Sequence, residues 1–139
     1  NVAIAVDGSG SVDSPDFELE KEFAKDVVAA FDDAIDLFDN GGTASYVQFS
    51  DCAESSGVFS SQYYFDYFVD NDEQAGTDTN IASGIAEARI LLAADKATAA
   101  YMIVVVEADY NAGEDPKEEA DAARAEGIEI FAVGVGKGC

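Results

Sequence analysis

The chain has 139 residues and a formal net charge of −22, from 7 Lys and Arg against 29 Asp and Glu. This length suits one domain, and such an acidic surface disfavours nucleic acid and anionic membranes as partners. Because histidine is absent, catalytic Ser-His or Cys-His pairs and imidazole-bound zinc or haem are excluded. No run approaches about 18 apolar residues, so the sequence predicts no direct membrane insertion.

A short apolar strand opens the chain. Residues 2–6 (VAIAV) run into Asp7 and Gly8, a pattern typical of a strand buried on both faces. Ser14 and Pro15 then predict a helix start, with Ser14 as the N-cap. Apolar residues spaced three or four apart predict one buried stripe of a long helix that ends at an Asn-Gly-Gly turn. These residues are Leu19, Phe23, Val27, Phe31, Ile35 and Phe38.

The rest of the chain alternates predicted strands with predicted helices. Strands are predicted at residues 44–49, 57–60, 101–106 and 128–135, and helices begin near residues 81 and 116. This alternation predicts a three-layer α/β fold, with a doubly wound, mainly parallel sheet covered by helices on both faces. In such sheets, ligands bind beyond the carboxyl ends of the strands.

An aromatic segment at residues 62–71 fits either a helix or a strand. We expect its rings to pack on the sheet rather than to form a binding platform. They belong to Tyr63, Tyr64, Phe65, Tyr67 and Phe68.

A set of oxygen-bearing side chains follows the first strand. Asp7, Ser9 and Ser11 stand at alternate positions of a glycine-containing loop, where they can point the same way. Their hard oxygens suit Mg²⁺, Mn²⁺ or Ca²⁺. The spacing alone is common in turns and helix caps, but the context strengthens it. A second oxygen-rich loop, residues 76–80 (GTDTN), precedes a helix, and Asp109 follows the central strand.

These motifs occur in an order that resembles a known family. Residues 2–38 resemble the opening of von Willebrand factor A (VWA) domains and integrin inserted domains, in which an apolar strand runs into Asp-x-Ser-x-Ser and a long helix. Residues 46–51 (YVQFSD) are similar to the family's second strand, residues 76–79 (GTDT) to its threonine loop, and residues 128–136 (IEIFAVGVG) to a late strand. The resemblance covers nearly the whole chain.

The resemblance implies a metal-ion-dependent adhesion site (MIDAS). On the family pattern, Ser9 and Ser11 bind the ion directly, and Asp7 supports it directly or through water. Thr77 matches the family's threonine, with Thr79 as the alternative. The expected cofactor is a divalent cation, Mg²⁺ first, with Mn²⁺ and Ca²⁺ as alternatives. Because hydroxyl ligands are neutral, the ion keeps net positive charge and attracts an Asp or Glu of a partner.

Two departures from the family pattern stand out. Where the family has Thr-Asp-Gly after the central strand, this chain has residues 107–110 (EADY). A shift of one residue makes Asp109 the expected ligand, with Glu107 as the alternative. The family pattern also continues with a last edge strand and a C-terminal helix after the match to residues 128–136, and these are either not included in the sequence or missing from a trimmed version of the domain. We therefore expect a single VWA-type domain, residues 1–139, within a larger protein whose other parts cover the sheet edge.

The pairing of the two cysteines, Cys52 and Cys139, is left open by the sequence. They could bond to each other, bond to another chain or stay free. The strand order that the resemblance implies puts them on opposite sides of the first strand. An internal disulfide would then be strained, which favours a bond to groups outside this chain at least as much.

Three alternative interpretations of the same residues, each as a different class of protein, fail because one required residue is missing. A serine hydrolase needs Gly-x-Ser-x-Gly, and Asp7 occupies the first glycine position. A doubly wound phosphatase needs a second aspartate where Ser9 stands, and a dinucleotide fold needs a third glycine where Asp13 stands.

The expected function is therefore non-enzymatic. It is an extracellular or cell-surface module that binds an acidic group of a protein partner, or contacts neighbouring domains of an assembly, through a divalent cation. The alternative is a structural VWA module of a filament or matrix with a non-regulatory or vestigial metal site.

Overall fold

The part of the chain that the structure describes folds into a five-stranded sheet with helices on both faces. A computed structural model describes residues 1–93, 99–107 and 112–135, and no helix among them is long and apolar enough to cross a membrane. The strands are β1 (Val2–Asp7), β2 (Ala44–Phe49), β3 (Ala53–Phe59), β4 (Ala100–Val106) and β5 (Ile128–Gly134). The helices are α1 (Ser14–Ile35), α2 (Gln62–Asp70), α3 (Ile81–Ala93) and α4 (Pro116–Ala125).

The strand order in the sheet is β3-β2-β1-β4-β5. β1 pairs in parallel with both β2 and β4, β5 is parallel to β4, and β3 is antiparallel to β2. The predicted doubly wound, mainly parallel α/β fold is confirmed. Because β2 and β4 lie on opposite sides of β1, the chain order switches at β1. The loop after β1 therefore lies where such sheets bind ligands.

The two faces of β1 contribute to separate cores. Val2, Ile4 and Val6 pack with residues of α1 and α2 on one face. Ala3 and Ala5 pack with α3 and α4 on the other face. Every residue of β1 is buried, so the strand is held from both sides and its last residue, Asp7, has a fixed position.

The start and end of α1 differ from their predicted positions. The N-cap is Asp13 rather than Ser14, because the Asp13 carboxylate accepts a hydrogen bond of 2.9 Å from Asp16 N. The helix ends at Ile35, before the Asn-Gly-Gly turn, because Asp36 adopts a left-handed conformation with φ of 50°. Both shifts come from aspartates, which cap helices and tolerate left-handed backbone better than most residues.

The predicted buried stripe of α1 is confirmed in part, because four of its six residues pack against the core: Phe23, Val27, Phe31 and Phe38. Leu19 and Ile35 are 66% and 49% exposed, so their predicted burial was wrong. The inward face also includes charged residues, which the apolar pattern could not indicate. Its buried residues are Phe17, Glu20, Lys21, Ala24 and Val28.

The aromatic segment forms α2, and its rings divide between two environments. Phe65 is fully buried, and Phe68 is half-buried against the same core. Tyr63, Tyr64 and Tyr67 are 62–71% exposed, so the expectation that all five rings pack on the sheet was wrong for the tyrosines. The helical period turns these three positions outward. The preceding strand, β3, begins earlier than predicted because its exposed, serine-rich sequence gives a weak apolar signal.

Candidate functional site

Two loops meet at the carboxyl end of β1 and are joined there by backbone hydrogen bonds. Gly76 N donates to Gly8 O at 2.8 Å, and Gly10 N donates to Thr77 O at 2.7 Å. These bonds fix the loop after β1 against the threonine loop, residues 76–80. Neither Gly8 nor Gly10 has room for a side chain, because a Cβ would lie 2.5 Å from Gln48 Cδ at Gly8 and 2.8 Å from Gly76 O at Gly10. The glycines of the motif therefore allow close packing of the two loops.

Asp7 is fully buried at the base of this site. Its Oδ1 accepts a hydrogen bond from Ser9 N at 3.0 Å, and its Oδ2 accepts one from Glu107 N at 3.4 Å. The backbone N–H of Asp7 donates to Glu20 Oε2 at 3.0 Å. The Asp7 carboxylate is thus held between the ends of β1 and β4.

Three hydroxyls lie in a row beside Asp7. Ser9 Oγ is 2.9 Å from Ser11 Oγ, which is 3.5 Å from Thr79 Oγ1. Ser9 and Thr79 are buried, whereas Ser11 is exposed. The structure therefore brings together Asp7, Ser9, Ser11 and Thr79 of the predicted residues, and the row opens to solvent at Ser11.

Thr77 has a different set of contacts. It is exposed, its Oγ1 donates to Asp51 Oδ1 at 2.8 Å, and the same oxygen accepts from Asp51 N at 3.2 Å. The hydrogen bond from Thr77 is the main cause that lowers the pKa of the Asp51 carboxyl. Thr77 in this conformation links the threonine loop to the end of β2.

Two further carboxyl groups, those of Glu20 and Glu107, interact electrostatically with Asp7. Glu20 is 1% exposed, and burial, followed by the charge of Asp7, raises its pKa to about 9. Burial, followed by the charges of Asp16, Asp13 and Asp7, also raises the pKa of Glu107. Among the described residues, Glu20 Oε1 and Glu107 Oε2 are buried without a hydrogen-bond partner. The negative potential at this edge of the sheet would be relieved by a bound cation.

The donor set fits a small, hard divalent cation. A buried carboxylate and a row of hydroxyls supply oxygen ligands, which Mg²⁺, Mn²⁺ and Ca²⁺ prefer. In residues 1–93, 99–107 and 112–135, no group of three or more His, Cys, Asp or Glu side chains is arranged to hold an ion. A cation here would therefore depend on the hydroxyls. Asp109 and Cys139 lie outside the described residues, and Cys52 has an exposed free thiol.

Two glutamines that the sequence analysis did not single out support the loops. Gln74 Nε2 donates to Ser9 O at 2.8 Å and to Val12 O at 2.7 Å. Buried Gln48 donates from Nε2 to Asp72 Oδ2 and accepts at Oε1 from Ala75 N, both at 2.7 Å. The signal for Gln48 was its amide within an otherwise apolar strand, because buried polar groups need partners.

An acidic cleft of about 420 Å³ adjoins the loop after β1. Within it, Lys21 is already paired, because its Nζ donates to Glu18 Oε1 at 3.3 Å and to Asp72 O at 2.9 Å. The cleft therefore offers no unpaired positive charge. Its lining residues are Ser14, Phe17, Glu18, Lys21, Asp70, Asn71, Asp72, Glu73 and Gln74.

The fold and this loop arrangement define a VWA domain. The sequence model of the von Willebrand factor type A domain matches residues 1–138, and the chain belongs to this family. VWA domains of this kind are typical of adhesion and extracellular matrix proteins, where they mediate protein–protein interactions.

Individual relatives show how similar the chain is to known proteins in sequence and in structure. The human collagen alpha-6(VI) chain is 27% identical over 143 residues, which is 98% of this chain and 6% of that protein. Proximal thread matrix protein 1 from the mussel byssus superposes with a TM-score of 0.86 at 22% identity, over 99% of this chain and 37% of that one. A form of it described as having a zinc-occupied MIDAS motif gives 0.84 at 21% identity, over 99% and 38% of the two chains. The chain thus spans a small part of the relatives that it matches.

Proposed function

We propose that this VWA domain binds a divalent cation, with Mg²⁺ as the first candidate, and uses it to bind an acidic group of a protein partner. The observation that carries the proposal is the row of hydroxyls from Ser9 through Ser11 to Thr79 beside the buried carboxylate of Asp7.

The proposed ligands would have different roles at the ion. Ser9 and Ser11 would supply hydroxyl oxygens, and Asp7 would balance part of the charge directly or through water. When bound, the cation supplies a positive centre with an open coordination position for a carboxylate. We assign the threonine contact to Thr79, because its hydroxyl lies next to Ser11, and we keep Thr77 as the alternative that the family pattern indicates. Glu107 lies at the same edge and Asp109 follows it in sequence; either would complete the set.

The surface charge makes the cation the point of attraction for an acidic partner. The chain carries a net charge of −22, and an acidic cleft adjoins the site. Elsewhere on this surface a carboxylate would be repelled. The partner's Asp or Glu would therefore bind only at the ion. The ion would thus fix where the partner binds, and binding would be lost when the ion is removed.

The relatives favour an extracellular setting for this contact. A collagen chain and a byssal matrix protein are among them. We propose that the domain belongs to an extracellular or cell-surface protein, as one module of a longer chain. Its partner would then be a matrix protein or a neighbouring domain of the same assembly.

Titration calorimetry with MgCl₂, MnCl₂, CaCl₂ and ZnCl₂ tests cation binding directly. Ser11→Ala should weaken binding at least about tenfold, the effect of losing an ion-bound oxygen. Ser14→Ala, an exposed serine three residues on, should leave binding unchanged. Comparing the cation affinities of Thr77→Val and Thr79→Val tests which of the two threonines contacts the ion. Equal affinities for the wild type, Ser11→Ala and Ser14→Ala would contradict the proposed site.

A second measurement separates a binding site from a purely structural one. Glu-containing and Gln-containing versions of a matrix-derived peptide would be compared by calorimetry in Mg²⁺ and in excess chelator. The proposal expects binding of the Glu version that is lost in chelator. A domain that binds the ion while its partner contacts ignore the chelator would instead be a structural module with a non-regulatory site.

A further inference from the structure

The exposed face of α2 carries three tyrosines that are not part of the hydrophobic core. Tyr63, Tyr64 and Tyr67 are 71%, 62% and 63% exposed. The core contacts of the helix are made by other residues, since Phe65 and Val69 are fully buried and Phe68 packs against the same core. We call Tyr63, Tyr64 and Tyr67 the tyrosine face. Isolated exposed aromatic residues are ordinary, but three on adjoining positions of a nine-residue helix form a patch.

Two of these rings are already arranged for contact. The centroids of Tyr63 and Tyr64 are 5.3 Å apart at an interplanar angle of 81°, an edge-to-face geometry that holds each ring in place. Tyr67 lies one helical turn after Tyr63 on the same side of the helix. Rigid rings with few rotatable bonds lose little entropy on binding, which is why tyrosine is enriched at interface hot spots.

The charges around the tyrosine face are mostly negative. α2 contains Asp66 and Asp70 and no basic residue. The neighbouring cation, Lys25 of α1, is already bound by Asp70 and by Glu22, each at 2.6 Å. Glu22 and Asp70 remain 63% and 54% exposed. A ligand on this face therefore meets aromatic rings flanked by carboxylates.

We infer that the tyrosine face binds an arginine-containing basic segment of a partner protein. The face of an aromatic ring attracts a cation, and the planar guanidinium stacks on it while its N–H groups bind carboxylates. The flanking acids and the net charge of −22 add attraction for a basic partner. The same charge opposes a second copy of this chain as the occupant. This contact does not depend on a cation at the loop after β1.

A series of synthetic peptides tests the inference. Alternating Gly-Arg, Gly-Lys and Gly-Glu peptides and a proline-rich peptide would be titrated at about 0.15 M salt, near physiological ionic strength, with binding followed by NMR shifts of α2 amides. We expect the arginine peptide to bind most tightly, to shift the amides of residues 62–70 and to bind equally with and without chelator.

Substitutions on the tyrosine face supply the decisive comparison. A triple variant with Tyr63→Leu, Tyr64→Leu and Tyr67→Leu keeps apolar area and helix propensity but removes the rings. It should bind the arginine peptide about tenfold more weakly, as expected from three exposed cation–π contacts. Leu19→Ser with Ile90→Ser, two exposed apolar positions elsewhere, should have no effect. Unchanged binding in the triple variant, or equal binding of lysine and arginine peptides, would reduce the contact to bulk charge attraction and overturn the inference. Stronger binding of the proline-rich peptide would overturn it as well.

Discussion

Gln48 shows how one buried side chain positions the threonine loop. It is 3% exposed, and its amide binds Asp72, Glu73 and Ala75, the residues that lead into that loop. Substitution by leucine would keep the volume but leave the amide of Ala75 and the carbonyl of Glu73 without this partner. We expect Gln48→Leu to lower the free energy of unfolding by about 1–3 kcal/mol, at about 0.5–1.5 kcal/mol for each of these two part-buried hydrogen bonds.

Urea denaturation monitored by circular dichroism would measure this change. Gln62→Leu is a matched control, because Gln62 is half-buried and its amide bonds lie within α2 and to α1, away from the site. The control should lose less stability than Gln48→Leu. Equal losses would show that Gln48 has no special part in holding the loop.

Tyr46 gives a prediction about alkaline pH. Its hydroxyl donates to Asp72 Oδ2 at 2.9 Å, and burial, followed by the charge of Asp72, raises its pKa well above 10.0. The charges of Glu20 and Glu18, which also act on it, are negative. Because the folded pKa is higher than the unfolded pKa, this contribution to stability is complete below pH 10 and is lost as pH rises through the folded pKa.

Tyr46→Phe should therefore change the pH profile of stability. At pH 7 the variant should lose about 1 kcal/mol, the usual net value of one hydrogen bond. Above pH 10 the wild type should lose stability more steeply than the variant, so the two unfolding curves converge. All other side chains are common to both proteins, so their contributions cancel in the comparison. Parallel curves between pH 9 and pH 11.5 would contradict the assignment.

The sequence indicated the residues that we propose as ion ligands better than the residues that support their loops. Asp7, Ser9 and Ser11 form a local motif, so their spacing within one loop already indicated a common direction. The choice between Thr77 and Thr79 depends on how two loops pack, and only the structure places Thr79 beside Ser11. Gln48 acts through residues about 25 positions away, a contact that no local pattern encodes.

At the scale of elements, the contact between α3 and β2 leaves no space at Gly84. A Cβ on this residue would lie 2.5 Å from Phe49 Cδ1 and 2.8 Å from Phe49 Cγ. Phe49 is fully buried, and its carbonyl accepts the hydrogen bond from Gly8 N. A shift of Phe49 would therefore reach the loop after β1.

Overpacking a core costs about 1–3 kcal/mol, and alanine gains about 1 kcal/mol over glycine in helix propensity. We therefore expect Gly84→Ala to destabilise the domain by a net amount of about 1–2 kcal/mol. Thermal unfolding measures the loss, and the double variant with Phe49→Leu should recover part of it, since the two changes share one contact. A stabilised Gly84→Ala variant would show that α3 can move away from the sheet at little cost.

The elements themselves were predictable where burial was uniform. β2 and β4 are largely buried strands, and both were predicted within one residue. α1 was predicted as a helix, and Phe23, Val27 and Phe31 of its predicted stripe do pack against the core. The burial of Glu20 and Lys21 was not predicted, because charged residues give no apolar signal. β3 and α2 gave weak or ambiguous signals, since an exposed edge strand and a half-exposed aromatic helix lack a clean period.

For the whole molecule, the dominant feature is uncompensated negative charge. Seven basic residues stand against 29 acidic ones. Five of the six ion pairs among the described residues have a partner whose side chain is more than half exposed. Folding brings the acidic groups closer together, so mutual repulsion lowers stability at low salt. Such ion pairs contribute little to the free energy of unfolding, so their screening by salt should cost little stability.

Added NaCl should therefore raise the Tm. Between about 10 mM and 0.5 M, the screening length falls from about 30 Å to less than 10 Å, and we expect an increase of several degrees. At matched ionic strength, MgCl₂ should raise the Tm further in the wild type, because an ion bound only by the folded state adds stability by mass action. Ser11→Ala should keep the response to NaCl and lose the additional effect of Mg²⁺. A Tm that falls with NaCl would mean that ion pairs outweigh repulsion, and an additional Mg²⁺ effect retained in Ser11→Ala would place the bound ion elsewhere on the acidic surface.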